Sequence, residues 1–110
     1  MPGTYRAGGN ILYDWLIGPT LTPVAVAGST AAEQTFTIQG LQLGDALDVN
    51  CAVAQTAGIS IGNVRVSAAN TMSVEFANST AGSLTPVSGQ YLINIVRPEI
   101  GLAALPTTAA

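Results

Sequence analysis

The 110 residues include no lysine, no histidine and one cysteine, Cys51. Within a single chain these absences exclude a disulfide framework, a Cys/His zinc site and any catalytic device that takes its base from histidine or lysine. Charge is scarce too: three Arg and six Asp or Glu make up 8% of the chain, against 48% hydrophobic residues, and the mean hydropathy is +0.44. A domain that stands alone in water carries nearer ~25% charged residues, so the composition points to a subunit of an assembly. The chain is too apolar for intrinsic disorder, and its length suits one domain.

The only cations are Arg6, Arg65 and Arg97, and the net charge is −3 with a pI near 4.3. No basic stripe exists to neutralise a phosphate backbone, so nucleic acid is not an expected partner. The best apolar run, Ile11 to Ile17, is interrupted by Asp14 and falls far short of the ~18–20 residues of a membrane span. Neither a membrane partner nor a secretory leader is expected, because no apolar core lies between Arg6 and the small-residue stretch Val24 to Gly28. Asn78-Ser79-Thr80 is formally a glycosylation acceptor, and without export it reads as a polar turn.

What is abundant is two-residue alternation. Phe36 and Ile38 alternate with Thr35 and Thr37 over residues 33–39, and Leu47, Val49, Cys51 and Val53 alternate with Asp48, Asn50 and Ala52 after the Gly44-Asp45 turn. Ile59 and Ile61 have one parity and Val64 and Val66 the other, so Gly62-Asn63 must bulge if all four face the core. Met72, Val74 and Phe76 make another strand. Tyr91 to Val96, apolar on both faces, reads as a central strand. Leu21 to Ala27 contains Pro23, which suits an edge. Ala68-Ala69-Asn70 is the expected hairpin, and it would set Arg65 near Glu75 for a cross-strand ion pair. Six or seven short strands and no helical period predict an all-β fold, an antiparallel β-sandwich or a jelly-roll-like small barrel.

Chemistry is hard to assemble from what remains. Asp45 and Asp48 are three residues apart, one in a turn and one on a strand, so they are not expected to converge. Cys51 occupies an apolar strand position with no histidine to activate it and reads as core. No Gly-rich phosphate loop is present. No cofactor, no metal and no enzymatic activity are expected.

The ends of the chain differ from the middle. Residues 1–19 read as an arm, residues 20–98 as the β-domain and residues 99–110 as a tail. Tyr5, Tyr13 and Trp15 are half of the six aromatic residues, and they sit in a Gly-rich stretch. Such rings bury ~150–250 Å² when they dock, either on their own domain or on a neighbour. The anchors expected at an interface are Tyr5, Tyr13, Trp15, Leu16 and Ile17 in the arm, and Ile100, Leu102 and Leu105 in the tail. On this division, removing residues 1–18 would leave a folded domain.

The run from Ala32 to Leu41, then Gly44-Asp45, Val49-Asn50, Gly58-Ile59, Asn63 to Thr71, Val74 to Thr80 and Thr85-Pro86 resembles small virion proteins of tailed bacteriophages, of the head decoration or cement type. The likeness spans residues 30 to 97. It departs at Cys51-Ala52, where a Lys-Pro would be expected, which leaves that loop's contacts open. The resemblance implies a homo-oligomer, a dimer or trimer. It would bind the outer surface of a phage head, bridge major capsid protein subunits and reside in the host cytoplasm before assembly. The competing expectation is a β-domain of a fibre or tail that binds a host receptor or glycan.

Overall fold

Alternating apolar and polar residues, rich in Thr, Val and Ile, form seven strands in the computed structural model, which describes residues 11–102 and side chains as far as Pro98. They are β1 (Ile11–Ile17), β2 (Thr20–Leu21), β3 (Thr30–Thr37), β4 (Ala46–Cys51), β5 (Ile59–Ala68), β6 (Thr71–Asn78) and β7 (Gly89–Leu102). Every pairing is antiparallel. In one sheet β7 lies between β4 on one side and β1 with β2 on the other; in the second, β6 lies between β3 and β5. The fold is therefore the expected all-β sandwich of two antiparallel sheets.

The two central strands supply the middle of the core. Met72, Val74 and Phe76 of β6 face Tyr91, Ile93 and Ile95 of β7, all buried. Phe76 meets Tyr91 edge to face, with ring centroids 6.5 Å apart. The Tyr91 hydroxyl donates to the Val87 carbonyl at 2.7 Å and accepts from Gln55 Nε2 at 3.1 Å, so the polar end of a buried ring is satisfied.

The bulge expected at Gly62-Asn63 is present. Ile61 pairs with Phe76 and Val64 with Val74, so Glu75 alone opposes both bulge residues, and the isoleucines and valines reach one face despite their opposite parity. A Cβ on Gly62 would overlap the Glu75 carboxylate, which accepts from the Asn63 N–H at 3.1 Å. Ala69-Asn70 turns the β5–β6 hairpin with Asn70 at φ 62°, the left-handed region that Asn tolerates.

Several expectations need correction. Leu21 to Ala27 is not a strand: beyond Thr20–Leu21 only Val26 bridges to Leu84, because Pro23 has no N–H for a ladder. Instead the Gln34 side-chain amide clasps the Val24 peptide, donating at 2.7 Å and accepting at 2.9 Å. β4 ends at Cys51, and Val53 lies exposed beyond it. Arg65 does not pair with Glu75; it forms a two-point bridge to Glu33 at 2.9 Å, across the intervening β6.

The division into arm, domain and tail shifts as well. Residues 11–17 are β1, laddered to β7, and Ile17 packs against the core. β1 and β2 keep one register against β7 on either side of Gly18-Pro19, so together they form one interrupted edge strand. Removing residues 1–18 would take a strand out of the sheet. At the other end β7 continues through Leu102, past the expected boundary at residue 98.

Candidate interaction edge

β1 brings together four of the residues expected at an interface. Tyr13, Trp15 and Ile17 alternate onto the inner face, opposite Arg97, Ile95 and Ile93 of β7. Ile17 is half-buried, whereas Tyr13 and Trp15 lie towards the end of the sandwich and remain 49% and 38% exposed. Leu16, of opposite parity, is 68% exposed. Ile100 and Leu102 fall within β7. Tyr5 and Leu105 lie outside the described residues.

The two exposed rings are not independent. Tyr13 and Trp15 stack with centroids 4.8 Å apart, and the Arg97 guanidinium sits 4.9 Å from the Trp15 ring centre. Arg97 is itself fixed: Nε and Nη2 donate to the two Asp45 carboxylate oxygens at 2.8 Å, and Nη2 also donates to the Gly40 carbonyl at 2.8 Å. Asp45 further accepts from the Gln42 N–H at 3.0 Å, which closes the turn before β4. Hydrogen bonds from Arg97, reinforced by the Gln42 N–H and the opposite charge, hold the Asp45 carboxyl below its usual range against the opposing effect of burial. A guanidinium committed in this way positions Trp15 rather than recruiting an anion.

Between β1 and the segment after β3, Trp15, Ile17, Ile38, Leu41, Ile95 and Arg97 line a mostly apolar cleft of about 330 Å³. Leu12 and Leu43 flank a smaller recess beside it with Arg97 and Pro98. Leu12 and Leu43 are both exposed, so apolar surface gathers at this end of the molecule. The sequence reading missed Leu12, Leu43 and the Asp45–Arg97 pair. The one available signal for the pair was Arg97 as the sole cation of β7.

Asp48 is exposed while Asp45 is buried on Arg97, so the two carboxylates do not converge. Cys51 is partly buried and packs against the core opposite Tyr91. Among the described residues no three His, Cys, Asp or Glu side chains cluster as metal ligands would, and no helix is long and apolar enough to cross a membrane. Asn78 is buried; its Nδ2 donates to the Val26 and Gly82 carbonyls at 3.0 and 2.9 Å, and its Oδ1 accepts from the Thr80 N–H and hydroxyl at 2.9 and 2.7 Å. The formal glycosylation acceptor is thus consumed by the loop it organises. Comparison with known proteins finds no matching family model, no matching curated sequence and no matching solved structure.

Proposed function

We propose that this chain is a structural virion subunit of the decoration or cement type, which binds the outer surface of a phage head and stabilises contacts between major capsid protein subunits. The observation that carries the reading is the β1 edge, where Leu12, Tyr13, Trp15 and Leu16 are exposed together around a single charge, Asp14. Such a surface suits burial by another chain, since aromatic residues in a charge-poor patch are what protein interfaces concentrate at their centres. The sequence resemblance supplies the identity of that chain. On this reading the protein does its work by buried area and strand pairing, without turnover.

The alternative, a fibre or tail domain that binds a glycan, would need an open aromatic face to stack on a sugar. Trp15 is already stacked on Tyr13 and carries Arg97, which makes it a weaker sugar platform. Mass spectrometry of purified particles separates the two. Hundreds of copies per particle, in fixed ratio to the major capsid protein, are expected; a handful of copies would exclude a cement role. Trp15→Ala and Leu16→Ser together are expected to abolish rebinding to stripped heads while the domain stays folded, and unchanged occupancy would count against β1 as the capsid-binding edge.

A further inference from the structure

β1 is an outer strand, and no described residue pairs with its far side. The ladder fixes which backbone groups face outward. The Tyr91 N–H donates to the Pro19 carbonyl at 2.9 Å, while on the opposite side of β7 the Ala52 N–H donates to the Gln90 carbonyl at 2.9 Å. In an antiparallel ladder, hydrogen-bonded pairs recur at every second residue. Tyr13, Trp15 and Ile17 share Pro19's register and parity against β7, so their N–H and C=O groups are spent inward. Asp14 and Leu16 direct theirs away from the sheet.

Natural edge strands are normally blunted with Lys, Pro or inward-pointing charge. β1 has none of these between Ile11 and Ile17; its irregularity, a register shift between Ile11 and Tyr13, lies before the regular Tyr13–Ile17 stretch, and its one charge, Asp14, accepts from Asn94 Nδ2 at 2.8 Å. We propose that this edge pairs with β1 of a second copy, antiparallel about a twofold axis at Trp15, joining two sheets into one continuous sheet.

Charge and sterics select that register. An axis at Asp14 would set two carboxylates directly opposite, which is unfavourable. An axis at Leu16 would call on Gly18, whose carbonyl already accepts Gln90 Nε2 at 3.2 Å, and would bring Pro19 into the ladder. With the axis at Trp15, the outward N–H and C=O groups of Asp14 and Leu16 pair reciprocally with Leu16 and Asp14 of the second copy. The two Trp15 residues then form the non-hydrogen-bonded pair, where side chains approach most closely. Tyr13 packs against Ile17 of the second copy on the same face, and Asp14 faces a leucine instead of another carboxylate.

The area sets the strength. Taking ~150–250 Å² per buried ring, the parts of Tyr13 and Trp15 still exposed amount to roughly 150–200 Å² together. With Leu12, Leu16 and the strand backbone, the contact reaches a few hundred Å² per copy, below the ~800 Å² per partner of a standard stable interface. The dimer is therefore weak and concentration-dependent.

This inference does not depend on the capsid reading; it uses the same edge, so the weak self-dimer would give way wherever a capsid takes β1, and its test needs only the purified full chain. Sedimentation from about 10 µM to about 1 mM is expected to show a monomer giving way to a dimer. Emission from Trp15, the single tryptophan, should shift to the blue in parallel. Leu16→Pro deletes an N–H that faces outward and leaves the β1–β7 bonds intact, so it should unfold at a similar urea concentration and stay monomeric. Leu16→Lys sets an ammonium opposite Asp14 of the second copy and should tighten the dimer roughly fivefold at low salt, the gain vanishing at high salt. Should Leu16→Pro fail to fold, Leu16→Lys still decides. A full chain monomeric at 1 mM, a dimer indifferent to a folded Leu16→Pro, or a Leu16→Lys variant that dimerises less well would each overturn the proposal. So would dimerisation that requires prior removal of residues 1–10, since the edge would then be covered by its own chain.

Discussion

Arg97 of β7 holds Asp45 of the β3–β4 connection by two hydrogen bonds of 2.8 Å, with the Asp45 side chain 1% exposed and that of Arg97 16% exposed. The pair ties a turn to the sheet and sets the guanidinium against Trp15. Removing one partner of a buried pair strands the other charge, typically at ~3–5 kcal/mol. Arg97→Ala should therefore lower the unfolding free energy by about 3 kcal/mol, towards the low end because the pair lies near the surface. Urea denaturation followed by Trp15 fluorescence measures this directly.

The same pair sets an acid limit. Asp45 has its carboxyl pKa depressed in the folded protein, so between that value and the ~3.9 of an unfolded Asp the unfolded chain binds more protons. Its contribution is complete above ~3.9 and is lost as pH falls through the native pKa. Asp45→Asn should be less stable at neutral pH and should show a shallower loss of stability on acidification. Glu33 is also depressed, by the Arg65 hydrogen bonds, but that pair is largely exposed and screened. Glu33→Gln should leave the acid limb nearly unchanged, and a steep change there would contradict this assignment.

Two glycines should respond unequally to a single added methyl group. A Cβ on Gly28 would overlap the Ala81 carbonyl, a backbone group that cannot swing aside. A Cβ on Gly62 would meet only the end of Glu75, which can rotate into solvent at the loss of its bond to the Asn63 N–H. Gly28→Ala should cost about 3 kcal/mol and Gly62→Ala about 1 kcal/mol. Equal urea midpoints for the two variants would show that the chain crossing at Ala81 is not tight.

Truncations locate the true start of the domain. Deleting residues 1–10 leaves every described strand in place and should preserve cooperative unfolding. Deleting residues 1–18 removes the β1–β7 ladder and the Ile17 side chain from the core, and should give a markedly lower urea midpoint or an aggregating product. Comparable midpoints for the two deletions would mean that β1 contributes no stability.

Legibility in the sequence followed local pattern. The Met72–Val74–Phe76 alternation, the Tyr91–Val96 centre and the Gly62-Asn63 bulge were readable, because inward parity and a forced parity change are both written in adjacent residues. The hairpin was readable because Asn tolerates the left-handed region that the turn requires. β1 was not, since Leu12, Tyr13, Trp15 and Leu16 are apolar on both parities, and a strand exposed on both faces carries no alternation to detect. Pairings across an intervening strand were equally hidden: Arg65 reaches Glu33 over β6, which requires the strand order to be known. At the candidate edge the aromatic residues were visible, whereas the outward-facing N–H and C=O groups follow only from the β1–β7 register.

Asn78 offers the sharpest test of a buried polar network. Its amide joins four hydrogen bonds that hold the segment after β6 to the Val26 crossing, and no described buried side-chain polar atom lacks a partner. Asn78→Ala would leave the Thr80 N–H without its acceptor, at ~1–3 kcal/mol for a group left unsatisfied, while the Val26 carbonyl keeps the Leu84 N–H and the Gly82 carbonyl keeps the Thr80 hydroxyl. A loss of about 2 kcal/mol is expected, partly offset by water entering the loop. Asn78→Asp keeps the acceptor for Thr80 but presents carboxylate oxygens to two carbonyls, and should be at least as damaging. Urea midpoints of the two variants, read by Trp15 fluorescence, test this, and an Asn78→Ala midpoint equal to that of the unaltered chain would show that the network contributes no stability.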